Sequence, residues 1–183
     1  MRITGALAGA AVAAALLAAP AAEAAVAPGK GIAGVRLGMT QAGVRAVLGR
    51  PLRVVRDTTE LGPFTQYRYR RLDVIFFRHT RATGIFTTRT LERTARGVGV
   101  GSTEAAVLAG VPGATCRGPA RLRVCEVGDP SRRGARVTLF DLQGGRVSQV
   151  GVYVELRGSE AARSRVTDRA PRPGAAPERW QEH

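Results

Sequence analysis

The sequence predicts an α+β fold in which two tandem repeats each pack short helices on an antiparallel sheet. The first observation is an internal repeat, because "GVRLGMTQAGV" at residues 34–44 is echoed by "GVGVGSTEAAV" at residues 97–107. The second is that runs of aromatic and β-branched residues at strand spacing follow each copy. The order of helix and then sheet therefore occurs twice, and the sequence leaves open whether the two sheets are continuous.

Each copy of the repeat predicts the start of a short helix. In each copy an extended apolar run ends at a glycine, and Thr40 or the pair Ser102-Thr103 follows it. Ser and Thr side chains accept a hydrogen bond from the free amides of a helix start, so these residues are predicted N-caps. Apolar residues at helical spacing come next, and the two helices are predicted to stop at Gly49-Arg50-Pro51 and before Pro112-Gly113.

Five segments have the composition of β-strands. They are residues 64–70, 72–78 and 84–89 after the first helix, and residues 135–142 and 146–154 after the second. Between the last two, Gln143-Gly144-Gly145 is typical of a hairpin turn. These strands are predicted to form the surface on which the short helices pack.

The N-terminus has the pattern of a secretory signal peptide. Arg2 precedes an uncharged, alanine-rich and leucine-rich segment that meets Pro20, and Ala22-Glu23-Ala24 then supplies small residues for cleavage. The alternative is an uncleaved membrane anchor, which the alanine content and the proline disfavour. Residues 1–25 are therefore predicted to be removed near Ala24 or Ala25, giving a secreted or extracytoplasmic protein without a transmembrane segment in its mature chain.

The mature chain divides into two predicted repeats and a tail. Residues 26–94 form the first helix-plus-sheet repeat and residues 95–157 the second. Residues 158–183 contain three prolines, many charges and few large apolar side chains, so they are predicted to be a disordered basic tail. The formal net charge is +14, and Lys30 is the only lysine, an arginine bias typical of a GC-rich genome.

The two cysteines, Cys116 and Cys125, are predicted to form a disulfide. Export takes them to an oxidising compartment, and their spacing is too wide for a C-x-x-C redox or zinc motif. A bridge that closes a loop of about ten residues contributes roughly 2.5–3 kcal/mol in the chain-entropy model. The alternative is a free or metal-binding pair.

The segment "LGMTQAGVRAVLGRP" at residues 37–51 resembles the motif of the BamE (SmpA/OmlA) family, in which G-M-T is followed by a short helix and L-G-x-P. A tandem pair of such units resembles the architecture of the β-lactamase inhibitor protein (BLIP), in which two helix-plus-sheet repeats join into one curved sheet. The resemblance covers most of residues 31–155. It implies a BLIP-like fold and an inhibitor-like binding role.

The chain departs from the BamE pattern at several positions. Gly43 and Ala106 stand where the pattern commonly has the Glu or Gln of a capping box, and the second copy has Val111-Pro112 in place of L-G-x-P. BamE is a single-unit lipoprotein, whereas this chain has two units and no cysteine near the cleavage site to carry a lipid. The resemblance therefore does not extend to a BamE role, and no enzyme-binding residue of the inhibitor matches residue by residue.

No catalytic, cofactor-binding or metal-binding residue is predicted. "GVGVGST" at residues 97–103 lacks the lysine of a phosphate loop, and the copy around Gly38 makes the same turn without the extra glycines. His79 lies in a predicted turn, "RHTRA", and with His183 it supplies no metal-ligand cluster. An enzyme with an unrecognised site would need His79 gathered with a serine and a carboxylate.

The segment "TQYRYRR" at residues 65–71 supplies the predicted partner surface. Strand alternation places Tyr67 and Tyr69 on one face and Arg68 and Arg70 on the other, with Arg71 at the turn. The arginines would line the open side of the sheet and receive an acidic partner. The alternatives are that the tyrosines are core residues beneath the helices and that the arginines form an ordinary solvated face.

These observations favour a secreted, non-catalytic protein-binding or envelope-associated module with an inhibitor-like layout. Its predicted partner is an extracytoplasmic, acidic protein. The alternative is a cell-envelope protein that binds anionic polymers or lipid head groups through its arginine-rich surface. Nucleic acid is not a predicted partner, because export removes the protein from it and no recognition module is present.

Overall fold

The structure is a computed structural model that describes residues 25–157. The predicted signal peptide, apart from Ala25, and the predicted tail at residues 158–183 lie outside the described residues. Two helices occur in this range: α1 is Gln41–Leu48 and α2 is Glu104–Gly110, and a 3-10 turn covers Ala120–Leu122. None of the helices within residues 25–157 combines the length and apolarity that crossing a membrane requires.

Eleven strands make up most of the rest of the described chain. The first three are short: β1 is Val26–Ala27, β2 is Gly31–Ile32 and β3 is Val35–Arg36. The strands between the two helices are β4 (Arg53–Thr59), β5 (Gly62–Tyr69), β6 (Leu72–Phe77) and β7 (Arg81–Thr87). The strands after α2 are β8 (Thr115–Arg117), β9 (Arg123–Val127), β10 (Arg136–Gln143) and β11 (Arg146–Val154).

The strands form two antiparallel sheets. The small sheet has the order β1-β2-β3, and the large sheet has the order β4-β5-β6-β7-β11-β10-β9-β8. Four strands follow each helix, and the two groups meet where β7 pairs with β11. The large sheet is therefore continuous across the middle of the chain.

The predicted α+β fold class with repeated helices is wrong, because the described chain is mostly antiparallel β-sheet. Among these residues 48% lie in strands and 13% in helices, and the helices have only eight and seven residues. The sequence analysis missed six strands: β1, β2, β3, β4, β8 and β9. β4 is exposed along nearly its whole length, so it lacks the apolar alternation that identifies a strand, and the other five are only two to five residues long.

The helix starts, by contrast, were predicted correctly. The Thr40 hydroxyl accepts the N–H of Gly43 at 3.1 Å, and the Thr103 hydroxyl accepts the N–H of Ala106 at 3.2 Å. The hairpin turn is also confirmed, because Gln143 pairs with Arg146 across two glycines. Gly144 and Gly145 have φ of 57° and 75°, the left-handed region that such a two-residue turn requires.

Corresponding arginines anchor the two copies of the repeated phrase. The Arg81 guanidinium donates to the carbonyl of Gly38 at 3.0 Å, and the Arg146 guanidinium donates to the carbonyl of Gly101 at 2.9 Å. The amides of the same two glycines donate to the carbonyls of Ala82 and Val147 at 2.8 and 2.7 Å. Each arginine begins the second strand of a β-hairpin. Each copy of the repeated phrase therefore packs where that strand starts and has a structural role there.

One apolar core lies between the large sheet and the layer formed by both helices and the small sheet. Val44 of α1 and Val107 of α2 are fully buried against it, as is Val26 of the small sheet. Residues from both sides of position 94 contribute to this core. The boundary predicted between residues 94 and 95 therefore does not separate two cores.

Candidate functional site

The strand register divides the side chains of the large sheet between two faces. The helix face packs on the two helices and the small sheet and contains Tyr67, Val74 and Ile85. The opposite face, called the outer face from here on, holds the alternate residues. By register it includes Arg53, Val55, Asp57, Phe64, Gln66, Arg68, Asp73, Ile75, Phe77, Phe86, Gln149, Tyr153, Val137, Leu139, Asp141, Val124, Glu126, Thr115 and Arg117.

The structure places Tyr67 and Tyr69 beneath α1, on the helix face. Tyr67 is 2% exposed, and its hydroxyl donates to Gln41 Oε1 at 2.7 Å and accepts from the Arg45 guanidinium. The Tyr69 hydroxyl donates to the carbonyl of Gly49 at the end of α1, at 3.2 Å. The tyrosines are therefore packing residues for α1, which agrees with the core alternative for this face.

The three predicted arginines lie elsewhere. Arg68 is exposed on the outer face, where it stands opposite Asp73, and Arg70 and Arg71 are exposed in the turn between β5 and β6. Burial raises the pKa of the Asp73 carboxyl, and the charge of Arg68 opposes that rise. The arginines and tyrosines of this segment thus occupy different surfaces, and the partner-binding role of the arginines stays a prediction.

Apolar side chains form the centre of the outer face. Phe64 and Phe77 are opposite each other in the register, and both are partly exposed. Phe86 stacks on Tyr153 with ring centroids 6.4 Å apart and an interplanar angle of 16°. A Cβ atom at Gly151 would lie 2.7 Å from two carbons of the Phe86 ring. The ring therefore lies flat on the sheet because its neighbour has no side chain.

A groove of about 440 Å³ opens on the outer face beside the loop that joins β8 to β9. Val124 and Leu139 belong to its lining, and both pack in the same apolar cluster as Phe86 and Tyr153. Leu122, from the 3-10 turn, also lines the groove and is 37% exposed. The groove is therefore an extension of the apolar centre, bounded by a loop.

Charged groups alternate with these apolar side chains around the groove. Glu126 is 4% exposed and accepts from the Tyr153 hydroxyl at 3.3 Å. Its Oε2 atom makes an ion pair with Arg117 but no hydrogen bond of ordinary geometry. Arg121 also lines the groove and is exposed, so positive charge stands at the mouth of the groove and negative charge lies inside it.

Two links fix the loop that bounds the groove. The first is the predicted disulfide, which is confirmed: Cys116 and Cys125 are directly opposite in the β8–β9 pair, with their Cα atoms 4.0 Å apart. The second joins Arg123 to Glu104 of α2, with the guanidinium donating to both carboxylate oxygens at 2.7–3.0 Å. These bonds hold the pKa of Glu104 below its ordinary value.

The same links bear on metal binding. Glu104 and the two cysteines bring their ligand atoms within 4.8 Å of one another. Both sulfurs are joined to each other, so they offer no thiolate, and the Glu104 carboxylate is already held by Arg123. All three side chains are therefore engaged in structural cross-links, which argues against the metal-binding alternative for the cysteines.

His79 lies in the turn between β6 and β7, on the helix side of the sheet. Its Nδ1 atom is 2.7 Å from the hydroxyl of Thr65, and its carbonyl accepts from the Gln41 side chain at 2.9 Å. Thr65 is fully buried. A substrate could not reach this hydroxyl, so the pair fixes the turn against α1 and offers no accessible nucleophile.

Sequence reasoning missed the apolar centre of the outer face. The signal was present in "LDVIFF" at β6, where Ile75 and Phe77 interrupt the polar positions that a half-solvated strand should have. A nearly continuous apolar run indicates a strand with apolar contacts on both faces. The groove had no comparable signal, because the residues that line it come from β8, β9, β10 and β11 together.

Comparison with known proteins adds little. No protein-family model matches the sequence, and no curated protein matches it. A crystal structure of a DUF4309 family protein (YjgB) from Bacillus subtilis is similar to this chain, with a TM-score of 0.40 and 15% sequence identity, over 63% of this chain and 78% of that chain. A likeness this distant carries no argument about function.

Proposed function

We propose that this protein is a secreted, non-catalytic module that binds another protein through its outer face, in the manner of an inhibitor. The observation that carries the proposal is the composition of that face, where partly exposed aromatic and aliphatic side chains are rimmed by exposed arginines. Aromatic residues and arginine are enriched where proteins bind proteins. The disulfide is consistent with an extracytoplasmic location.

The groove supplies a place for an anchoring side chain of the partner. Val124, Leu139 and Leu122 offer apolar contacts, and the loop that carries Leu122 is fixed by the disulfide and by the ion pair between Arg123 and Glu104. A rigid apolar pocket loses little conformational entropy when it is filled. An aliphatic or aromatic residue flanked by acidic residues would fit the groove and the arginines at its mouth.

The first experiment is affinity capture from culture supernatant and envelope extract, at low salt and at roughly 0.5 M salt, where the Debye length falls to about 4 Å. Leu122→Asp places a charge in the groove, and Leu108→Asp makes the same change on α2, at a leucine that is 49% exposed. We expect a discrete protein to survive the salt and Leu122→Asp to weaken its binding by at least about tenfold. Equal capture by both variants would rule out the groove as the anchor.

A second candidate is binding of an anionic envelope polymer, and one arrangement favours it. Arg53 stands opposite Arg68 in the register, and the Arg89 guanidinium donates to the carbonyl of Arg70 at 2.7 Å, so several arginines collect at one end of the outer face. Such a cluster attracts polyanions through long-range charge. Polymer that is released between low salt and 0.5 M salt, together with no salt-resistant protein, would favour this function over the first.

A further inference from the structure

The large sheet ends in two different edges. At one end β8 has three residues, whereas at the other end β4 has seven residues and pairs only with β5 among the described strands. A long edge strand with unpaired backbone groups is a template for another strand. The β4 edge is therefore the larger unsatisfied surface.

The register shows which backbone groups of β4 are unpaired. Pro63 stands opposite Thr58, and its carbonyl accepts the N–H of Arg78 at 2.7 Å, so the backbone groups of Pro63 point towards β6 and away from β4. Backbone direction alternates along a strand. The N–H and C=O groups of Val54, Arg56 and Thr58 accordingly point outwards, away from β5, and among them the N–H of Thr58 already donates to Asp57 Oδ1.

Side chains at this edge are also poorly covered. Val47 at the end of α1 is 46% exposed, Leu52 just before β4 is 78% exposed, and Val54 is 40% exposed. These three lie within one short stretch of chain that leads into the edge strand. Large exposed apolar residues beside an open edge mark an association site.

We propose that the occupant of this edge is a second copy of the same chain, which pairs its own β4 antiparallel to the first across a two-fold axis at Val55. In this register Val55 faces Val55 of the copy, and Val54 faces Arg56 in two symmetric pairs that exchange four backbone hydrogen bonds. Arg53 faces Asp57 in two further pairs. Every charged side chain on the outer face of β4 thus meets an opposite charge.

Neighbouring contacts favour the same register. Arg53 stands opposite Arg68 within one chain, a like-charge pair that an incoming carboxylate would neutralise. Asp57 Oδ1 accepts the N–H of Thr58 at 2.7 Å, so this carboxylate lies along the free edge. Shifting the pairing by two residues in either direction also pairs outward backbone groups. One shift places Arg56 opposite Arg56 and the other places Leu52 opposite Arg56. Neither places Arg53 opposite Asp57.

The test is sedimentation equilibrium of the secreted form with its disulfide intact, at about 0.15 M salt, where repulsion between the two highly charged copies is largely screened. We expect a reversible dimer. Arg53→Asp and Asp57→Arg each replace two attractive pairs by two repulsive ones and should raise the dimer dissociation constant at least about tenfold. The double variant R53D/D57R restores opposite charges between positions 53 and 57 of the two copies, so it should regain most of the affinity.

Arg133→Asp is the matched control, because it makes the same charge change in the exposed loop between β9 and β10, far from β4 in the strand order. Amide exchange gives a second readout: the N–H groups of Val54 and Arg56 should exchange more slowly as protein concentration rises, whereas those of β8 should not change. A monomer at every concentration, or a dimer indifferent to both single charge changes, would overturn the proposal. Either result leaves partner binding through the groove untouched, because no residue of β4 lines the groove.

Discussion

At the scale of single residues, the tyrosines beneath α1 show how the sequence ties a short helix to the sheet. An isolated helix of eight residues is unstable in water, so its contacts with the sheet must hold it. The buried Tyr67 hydroxyl connects Gln41 in the first turn of α1 with Arg45 in the second. The Tyr67 side chain thus holds α1 on the sheet and is also a core residue.

We predict that Tyr67→Phe lowers the free energy of unfolding by about 1–2 kcal/mol, because Gln41 and Arg45 both lose their hydrogen bond to the buried hydroxyl while the ring keeps its packing. Tyr69→Phe is the control: its hydroxyl makes one bond of 3.2 Å at a partly exposed site, and the change should cost about 0.5 kcal/mol. Denaturant unfolding measures both values. Equal effects would contradict the role assigned to Tyr67.

A glycine on the outer face permits the position of an aromatic ring. We predict that Gly151→Ala destabilises the protein by about 1–3 kcal/mol, because the new methyl group collides with the Phe86 ring. In a Phe86→Leu background the same change should cost less, since the shorter side chain no longer lies over residue 151. A double-mutant cycle measures the coupling, and additive effects would show that the ring does not depend on the glycine.

At the scale of elements, the β8–β9 hairpin depends on two cross-links. We predict that replacing both Cys116 and Cys125 by alanine lowers the free energy of unfolding by roughly 2.5–3 kcal/mol. Unfolding of the wild type in the presence of a reductant should give a similar loss. No change under either condition would mean that the bond does not constrain the unfolded chain.

The second cross-link makes stability depend on pH. The pKa of Glu104 is lower in the folded protein than in the unfolded chain, so its contribution is complete above the unfolded value and is lost as the pH falls through the folded value. Between about pH 5 and pH 3 the wild type should lose more stability than Glu104→Gln. Asp129, whose pKa is also lowered, acts in the same direction in both proteins and does not disturb the comparison.

At the scale of the whole molecule, the two halves share one core and one sheet. The β7–β11 pair joins them by four residue pairs, and Val44 and Val107 contact the same apolar cluster. We predict that residues 26–94 and 95–157, made separately, do not fold, because each half would expose its share of this core and a fragment of that size is marginal alone. Circular dichroism and thermal unfolding test this, and a cooperative transition in either half would contradict it.

Elements that depend on near neighbours were predictable. The caps at Thr40 and Thr103, the turn at Gly144-Gly145 and the disulfide each involve groups within ten residues of one another. The fold class was not predictable in the same way, because β4 shows no apolar pattern and strands of two or three residues fall below any periodic signal. Of the candidate site, only Arg68 of the outer face was among the predicted partner-surface residues, and none of the groove residues was.

The sequence by itself determined where each short helix begins, where the last hairpin turns and which cysteines join, because hydrogen-bonding groups a few residues apart decide these features. Only the tertiary structure decided which face of the sheet is covered. That choice depends on β7 pairing with β11, about 65 residues apart, and on the small sheet and the helices packing on one side. The tyrosines of β5 consequently became core, while Phe64, Phe77 and Phe86 became the surface on which the proposed function rests.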